Sequence, residues 1–210
     1  MAELREALKD LNEDEVYRLV DEKIKQGVSP LDILDECNKG LMDVGELFAA
    51  GNYFLTELLF SAEIMQNIMQ KLEPLFSQGD NIREDAGIVV IGTVKGDIHD
   101  IGKNIVVSLL RSHGFKVIDL GVDVPVEKFI EALKETDAKV LGLSALLNST
   151  YPVMKDVVEA VKNAGLRDKV KIIIGGTICS EAVREFTGAD AYANDALTGV
   201  NFAKKVYANK

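Results

Sequence analysis

The sequence predicts an α/β protein in two parts, a four-helix bundle followed by a doubly wound, five-stranded parallel sheet. Three observations carry this. Residues 1 to about 76 keep a helical period throughout. The stretch SQGDNIREDAG, Ser77 to Gly87, is polar and broken by two glycines, as a linker is. After it, short runs of Val, Ile and Leu alternate with amphipathic helical segments. Such strands, each followed by a helix, require a parallel sheet covered on both faces, in a Rossmann-like, flavodoxin-like arrangement. The expected domains are a bundle over 1–80, a linker over 81–87 and an α/β domain over 88–210.

In the bundle, a first charged helix precedes Asn12, which caps a second running to Gln26, with Gly27 as its stop. Ser29-Pro30 restarts the chain: serine suits the N-cap, proline the first helical position, and Asp32 and Asp35 the positive end of the helix dipole. The third helix carries Leu31, Ile33, Leu34, Cys37, Leu41, Val44, Leu47 and Phe48 at three- and four-residue steps, and Gly51-Asn52 breaks it. A fourth, Thr56 to Phe76, carries Leu58, Leu59, Ala62, Met65, Ile68, Met69, Leu72 and Phe76. Short turns between such helices give a small bundle. In the second part the expected strands are 87–92, 116–121, 139–144, 171–176 and 189–193. The expected helices are 102–112, 125–136, 152–164, 179–187 and 196–208.

Composition narrows the function. A formal charge of −10 argues against nucleic acid or an anionic membrane as partner. No apolar run approaches the about 20 residues that span a bilayer, and the charged N-terminus has no apolar core of a secretory signal. Cys37 and Cys179 are the only cysteines and stand far apart, which suits reduced thiols and a cytoplasmic location. Small molecules and other proteins remain as partners.

In a doubly wound sheet, ligands bind beyond the carboxyl ends of the strands. Five loops stand there: Thr93–Ile101, Gly121–Pro125, Ser144–Tyr151, Gly175–Cys179 and Asn194–Leu197. The first reads GDIHDIGKN from Gly96 to Asn104. It is no P-loop: five residues separate Gly96 from Gly102, and Asn104 follows Lys103 where a hydroxyl is needed. It has no GxGxxG spacing either. Asp97, His99 and Asp100 could contribute to a metal site. The one other histidine, His113, reads instead as the C-terminal residue of the helix that this loop begins.

Three motifs lie on these loops in order: Asp97-x-His99-x-x-Gly102, Ser144-x-Leu146 and Gly175-Gly176. Between the first and second lie 41 residues, and between the second and third 28. The set resembles the cobalamin-binding signature DxHxxG…SxL…GG of B12-dependent methionine synthase and the mutases. VGELFAAGNYFL (Val44–Leu55) and SAEIM (Ser61–Met65) are similar to the helical cap of the methyltransferase branch. The resemblance therefore spans nearly the whole chain. It points to the corrinoid proteins of methylamine, methanol and methoxyarene methyltransferase systems.

The resemblance implies roles. His99 would be the lower axial ligand of cobalt in cobalamin or a related corrinoid. Asp97 would accept a hydrogen bond from its other ring nitrogen, and Thr150 would complete a proton relay. Ser144 and Asn148 would hold the displaced nucleotide tail, with Leu146 packed beneath. Gly175 and Gly176 would let that tail pass a strand end, and Gly121, Gly142 and Ala196 fit the same need for space. Gly102 would let the helix start close to the cofactor. Gly96, Ile98 and Asp100 join the cofactor-binding loop, though Asp100 equally reads as a solvated charge. Phe48, Phe54 and Leu55 match the cap residues over the corrin's upper face; apolar residues at that spacing also read as bundle core.

The implied function is a methyl carrier. Cobalt(I), as in cob(I)alamin, would take a methyl group from a substrate-specific methyltransferase. The resulting methylcobalamin would donate it to a second methyltransferase, with tetrahydrofolate or a thiol as acceptor. A reductive activase would restore oxidised cofactor, and the linker would let the cap move. A cobalamin sensor or storage module and a subunit of an adenosylcobalamin mutase are the alternatives.

Overall fold

In the computed structural model, residues 3–76 and 86–208 are described. The chain divides into two compact units, Met1–Phe76 and Ser77–Lys210. Residues 77–85, which hold most of the expected linker, and the Phe76 side chain lie outside the described residues. Gly87 opens the first strand.

The first unit contains α1 (Leu4–Lys9), α2 (Glu13–Lys25), α3 (Pro30–Ala49) and α4 (Leu55–Phe76). The starts of α2 and α3 follow from local chemistry. Asn12 accepts the Glu15 amide at 3.4 Å, Ser29 accepts the Leu31 amide at 3.3 Å, and Pro30 occupies the first turn. Leu4, Leu8, Val16, Val20, Ile33, Leu34, Cys37, Val44, Ile64, Met65, Ile68 and Leu72 fill the core. A bidentate Arg5–Asp43 pair, at 2.6 and 2.7 Å, ties α1 to α3. Part of the expected core stripe differs: Leu59 and Ala62 on α4 are exposed, as are Phe48, Phe54 and Leu55. The buried side of α4 keeps the expected Met65, Ile68 and Leu72 and adds Ser61 and Ile64.

The second unit runs β1 (Gly87–Thr93), α5 (Ile101–Ser112), β2 (Phe115–Asp119), α6 (Val126–Glu135), β3 (Val140–Ser144), α7 (Tyr151–Asn163), β4 (Lys171–Gly175), α8 (Glu181–Thr187), β5 (Ala191–Ala193) and α9 (Ala196–Ala208). The strands are all parallel in the order β2-β1-β3-β4-β5, the flavodoxin-like order. One face packs Val90, Leu141, Leu143, Ile172 and Ile174 against Phe129, Met154, Val157 and Val161 of α6 and α7. The helices α5 and α9 pack together on the other face. Tyr207 of α9 anchors the far end of the sheet, its hydroxyl accepting the Ile88 and Lys139 amides at 3.0 and 2.9 Å. His113 closes α5 as expected, with Nδ1 on the Leu109 carbonyl at 2.7 Å. Both thiols are buried, and burial pushes Cys37 up to about 12 and Cys179 to about 11. Among the described residues no helix is long and apolar enough to cross a membrane.

Gly40 lets α1 and α3 approach closely. A Cβ there would stand 2.9 Å from both the Arg5 carbonyl and Leu8 Cβ. Gly40→Ala should therefore lower stability by about 1–3 kcal/mol through overpacking. Chemical denaturation checks this, and an unchanged midpoint would contradict the packing described.

Candidate functional site

Because every strand is parallel, the loops after β1, β2, β3, β4 and β5 share one edge of the sheet. The change of strand order between β1 and β3 opens a crevice there. The Gly96–Asp100 loop fills the start of that crevice, and Asp97 is its centre. Its side chain is fully buried (0 % exposed), whereas the neighbouring His99 side chain is 49 % exposed. Asp97 Oδ1 accepts the His99 amide at 3.0 Å and faces His99 Nδ1 at 2.6 Å. Oδ2 accepts the amides of Leu146 and Leu147 at 2.6 and 3.0 Å. One carboxylate thus fixes the imidazole and joins the first and third loops.

The electrostatics follow from this count. Burial alone would push the Asp97 carboxyl up. The hydrogen bonds from the His99 amide, the Leu146 amide, the His99 ring and the Leu147 amide outweigh it and hold it below the ordinary carboxylate value. A carboxylate accepts only, so the imidazole must present an N–H at Nδ1. Nε2 is then the ring nitrogen left for a ligand.

Further bonds hold the loop. The Thr93 hydroxyl donates to the His99 carbonyl at 3.0 Å. The Gly96 amide donates to Asp123 Oδ1 at 2.7 Å, and the Asp123 amide donates to the Asp97 carbonyl at 3.0 Å. Asp100 accepts from Asn104 Nδ2 at 3.1 Å, so it is a partnered loop residue.

The remaining expected residues fall into three groups. Ser144 ends β3 half-buried, in register with Thr93 and Gly175. Asn148 begins a short 3-10 turn and meets the Tyr151 hydroxyl at 3.0 Å, and Ala196 begins α9. Gly102 and Gly121 leave open space where a Cβ would stand, and nothing approaches the Gly175 position closer than 3.8 Å.

At three more of the expected residues the chain makes contacts of its own. The Thr150 hydroxyl does not reach Asp97; it donates to the Leu147 carbonyl at 2.7 Å, because both Asp97 oxygens are already taken. The room at Gly142 is filled by Ile91 of the neighbouring strand, 3.0 Å from its Cβ position. Gly176, at φ 139°, is required by the protein's own backbone, since a Cβ would lie 1.9 Å from the Ala145 carbonyl oxygen.

Ile98 is 72 % exposed beside His99, and Val122, Leu146, Leu147 and Leu197 are exposed on the neighbouring loops of the edge. Only Ile98 and Leu146 of these were expected in the site. Exposed aliphatic side chains around a free imidazole and open glycines fit a broad, largely apolar ligand with a metal centre. Among the described residues no group of three His, Cys, Asp or Glu side chains could hold a metal ion by itself. A corrin ring supplies its own four equatorial nitrogens and needs only one axial ligand from the chain. The residues present therefore fit a corrinoid.

Comparison with known proteins agrees with this geometry. A family model described as a B12 binding domain matches residues 87–201, and a second of the same description matches residues 1–73. The chain belongs to the B12-binding family. Dimethylamine corrinoid protein 1 of Methanosarcina acetivorans is 40% identical to this B12-binding chain over 209 residues, covering 99% of it and 97% of the relative. Trimethylamine corrinoid protein 1 of the same organism is 35% identical over 207 residues, covering 98% and 96%. The solved Methanosarcina barkeri monomethylamine corrinoid protein matches with TM-score 0.87 and 34% identity, covering 97% of this chain and 96% of that one. The M. barkeri methanol:cobalamin methyltransferase complex matches at TM-score 0.57 and 28% identity, covering 99% and 79%.

Asp97→Asn keeps the side chain's shape but sets an N–H₂ group among donors. At neutral pH the cofactor-free variant should be less stable by about 1–3 kcal/mol. The depressed Asp97 value adds stability that is complete above the unfolded carboxylate value near about 4. That stability is lost as pH falls through the lower folded value. The gap between wild type and variant should therefore narrow on acidification, which denaturant unfolding at several pH values measures. A gap independent of pH would contradict the ionised, amide-bound carboxylate.

Proposed function

We propose that this chain is the methyl carrier of a methylamine-type corrinoid methyltransferase system. The observation that carries the reading is His99, half-exposed at the sheet edge, with Nδ1 held by a buried carboxylate and Nε2 without a hydrogen bond among the described residues. It is supported by the end-to-end likeness to dimethylamine corrinoid proteins. A corrinoid bound here supplies one chemistry, a cobalt centre that takes a methyl group from one methyltransferase and gives it to another.

The chain's residues do the rest. His99 would hold the cobalt of a bound corrinoid through Nε2. Asp97 orients the ring and would hold the proton at Nδ1. The Thr150 hydroxyl supports the Leu147 turn that feeds an amide to Asp97, so its role in proton movement is indirect. Ser144, Asn148 and Ala196 line the crevice that receives the nucleotide tail, with Gly102, Gly121 and Gly175 providing room. Gly96, Ile98 and Leu146 would offer a surface to the macrocycle, and Asp100 steadies the loop.

Phe48, Phe54 and Leu55 are exposed on the bundle and are the apolar residues there that would cover a corrin. Phe54, 70 % exposed, is an apolar side chain that gains most from such a cover. The chain turns over only with its partners: a substrate-specific methyltransferase, an acceptor methyltransferase using tetrahydrofolate or a thiol, and a reductive activase, all in the cytoplasm.

Reconstitution with hydroxocobalamin, followed by EPR of the cobalt(II) form, tests this. Wild type should show nitrogen superhyperfine coupling from one protein imidazole, and His99→Ala should lose it while still binding corrinoid. A wild type that binds no corrinoid, or binds it with benzimidazole still on cobalt, would falsify the reading.

A further inference from the structure

Among the described residues, Asp97 and Lys103 are the two fully buried members of the Asp, Glu, Lys and Arg set. Both belong to the segment that carries His99, yet Lys103 has no part in the reading above. Its position is doubly unfavourable for a cation. It lies in the first turn of α5, where the helix dipole is positive, and its side chain is 2 % exposed.

Its partners show what holds it there. Lys103 Nζ donates to Asp119 Oδ2 at 2.6 Å and to Asn104 Oδ1 at 2.7 Å. Each partner starts an arm that ends on His99 or on Asp100 next to it. In the first, Asp119 Oδ1 accepts the Gly121 amide at 2.9 Å, and the Gly121 carbonyl accepts the Thr93 amide at 2.9 Å. The Thr93 hydroxyl then donates to the His99 carbonyl at 3.0 Å. In the second, Asn104 donates from Nδ2 to Asp100 Oδ2 at 3.1 Å and from its amide to the Asp100 carbonyl at 2.7 Å. The ammonium fixes the Asn104 amide with its oxygen toward Lys103 and its N–H₂ toward Asp100. The two arms thus end on adjacent residues, the first on the His99 carbonyl and the second on the Asp100 side chain and carbonyl.

We propose that Lys103 is a positioning residue for the cobalt ligand, setting the backbone of His99 and Asp100 through Asp119 and Asn104. Asp97 governs the ring and Lys103 governs the peptide that carries it. The inference rests on His99 being the axial ligand.

Lys103→Met keeps the aliphatic stem and removes the charge and donors. Lys103→Met/Asp119→Asn also removes the carboxylate that the first change would strand. Both are reconstituted with hydroxocobalamin beside wild type, and the cobalt(II) EPR spectrum is recorded with thermal midpoints and retained corrinoid absorbance. Corrinoid should remain bound while imidazole coordination weakens about tenfold in both variants. The nitrogen-coupled fraction falls accordingly, and the double variant recovers its thermal midpoint without recovering the coupling. Wild-type coupling in either variant, whatever its midpoint, overturns the proposal, because Lys103 would then only balance Asp119. Absence of coupling in wild type would instead remove the axial-ligand reading itself, and this inference with it.

Discussion

Everything at the sheet edge depends on one buried carboxylate. Asp97 has no contact with solvent, and its two oxygens face three backbone amides and one ring nitrogen. A buried anion is costly unless its lone pairs are filled, and here the loop after β3 is shaped to fill them. Two consecutive amides, Leu146 and Leu147, point at Oδ2, and the Thr150 hydroxyl holds the turn that aims them. The same bonds that make the charge tolerable leave the imidazole one orientation. Loop geometry, charge and ligand availability are consequences of one arrangement.

That arrangement needs a rigid support, which the parallel sheet supplies. The register of β1 with β3 sets Thr93 beside Ser144, and that of β3 with β4 sets Ser144 beside Gly175. Three loops therefore leave the sheet at one level, and Asp97 can reach amides 49 and 50 residues away. The apolar side chains around His99 remain exposed because the packing inside the unit is already complete without them. The exposed stripe on α3 and α4 has the same origin: the bundle core closes through Met65, Ile68 and Leu72, leaving Leu55 and Leu59 outside.

Periodicity made the architecture legible. The strands after residue 86 and the caps at Asn12 and Ser29 follow local rules, and α8 starts later than expected because Ser180 caps it at Val183. The spacing of Asp97, His99 and Gly102 was equally legible, since the chemistry lies in side-chain identity. Backbone amides carry no residue signature, so the Leu147 contribution to Asp97 was hidden. The Gly176 reason was hidden too, because its neighbour is the carbonyl of Ala145, distant in sequence. Lys103 read as an ordinary residue of GKN until its burial and its bond to Asp119 were known. Leu59 and Ala62 satisfied the helical period and still face outward, because period reports a face and not what covers it.

The central claim is that Asp97 selects the tautomer of His99 and so leaves Nε2 open to cobalt. The most direct measurement is long-range ¹H–¹⁵N correlation of the histidine rings in the cofactor-free protein at mildly alkaline pH, with His113 assigned by substitution. The account predicts for His99 a protonated Nδ1 and a bare Nε2, a pattern lost in Asp97→Asn. A His99 ring protonated at Nε2, or averaging between tautomers as a free imidazole does, would contradict it.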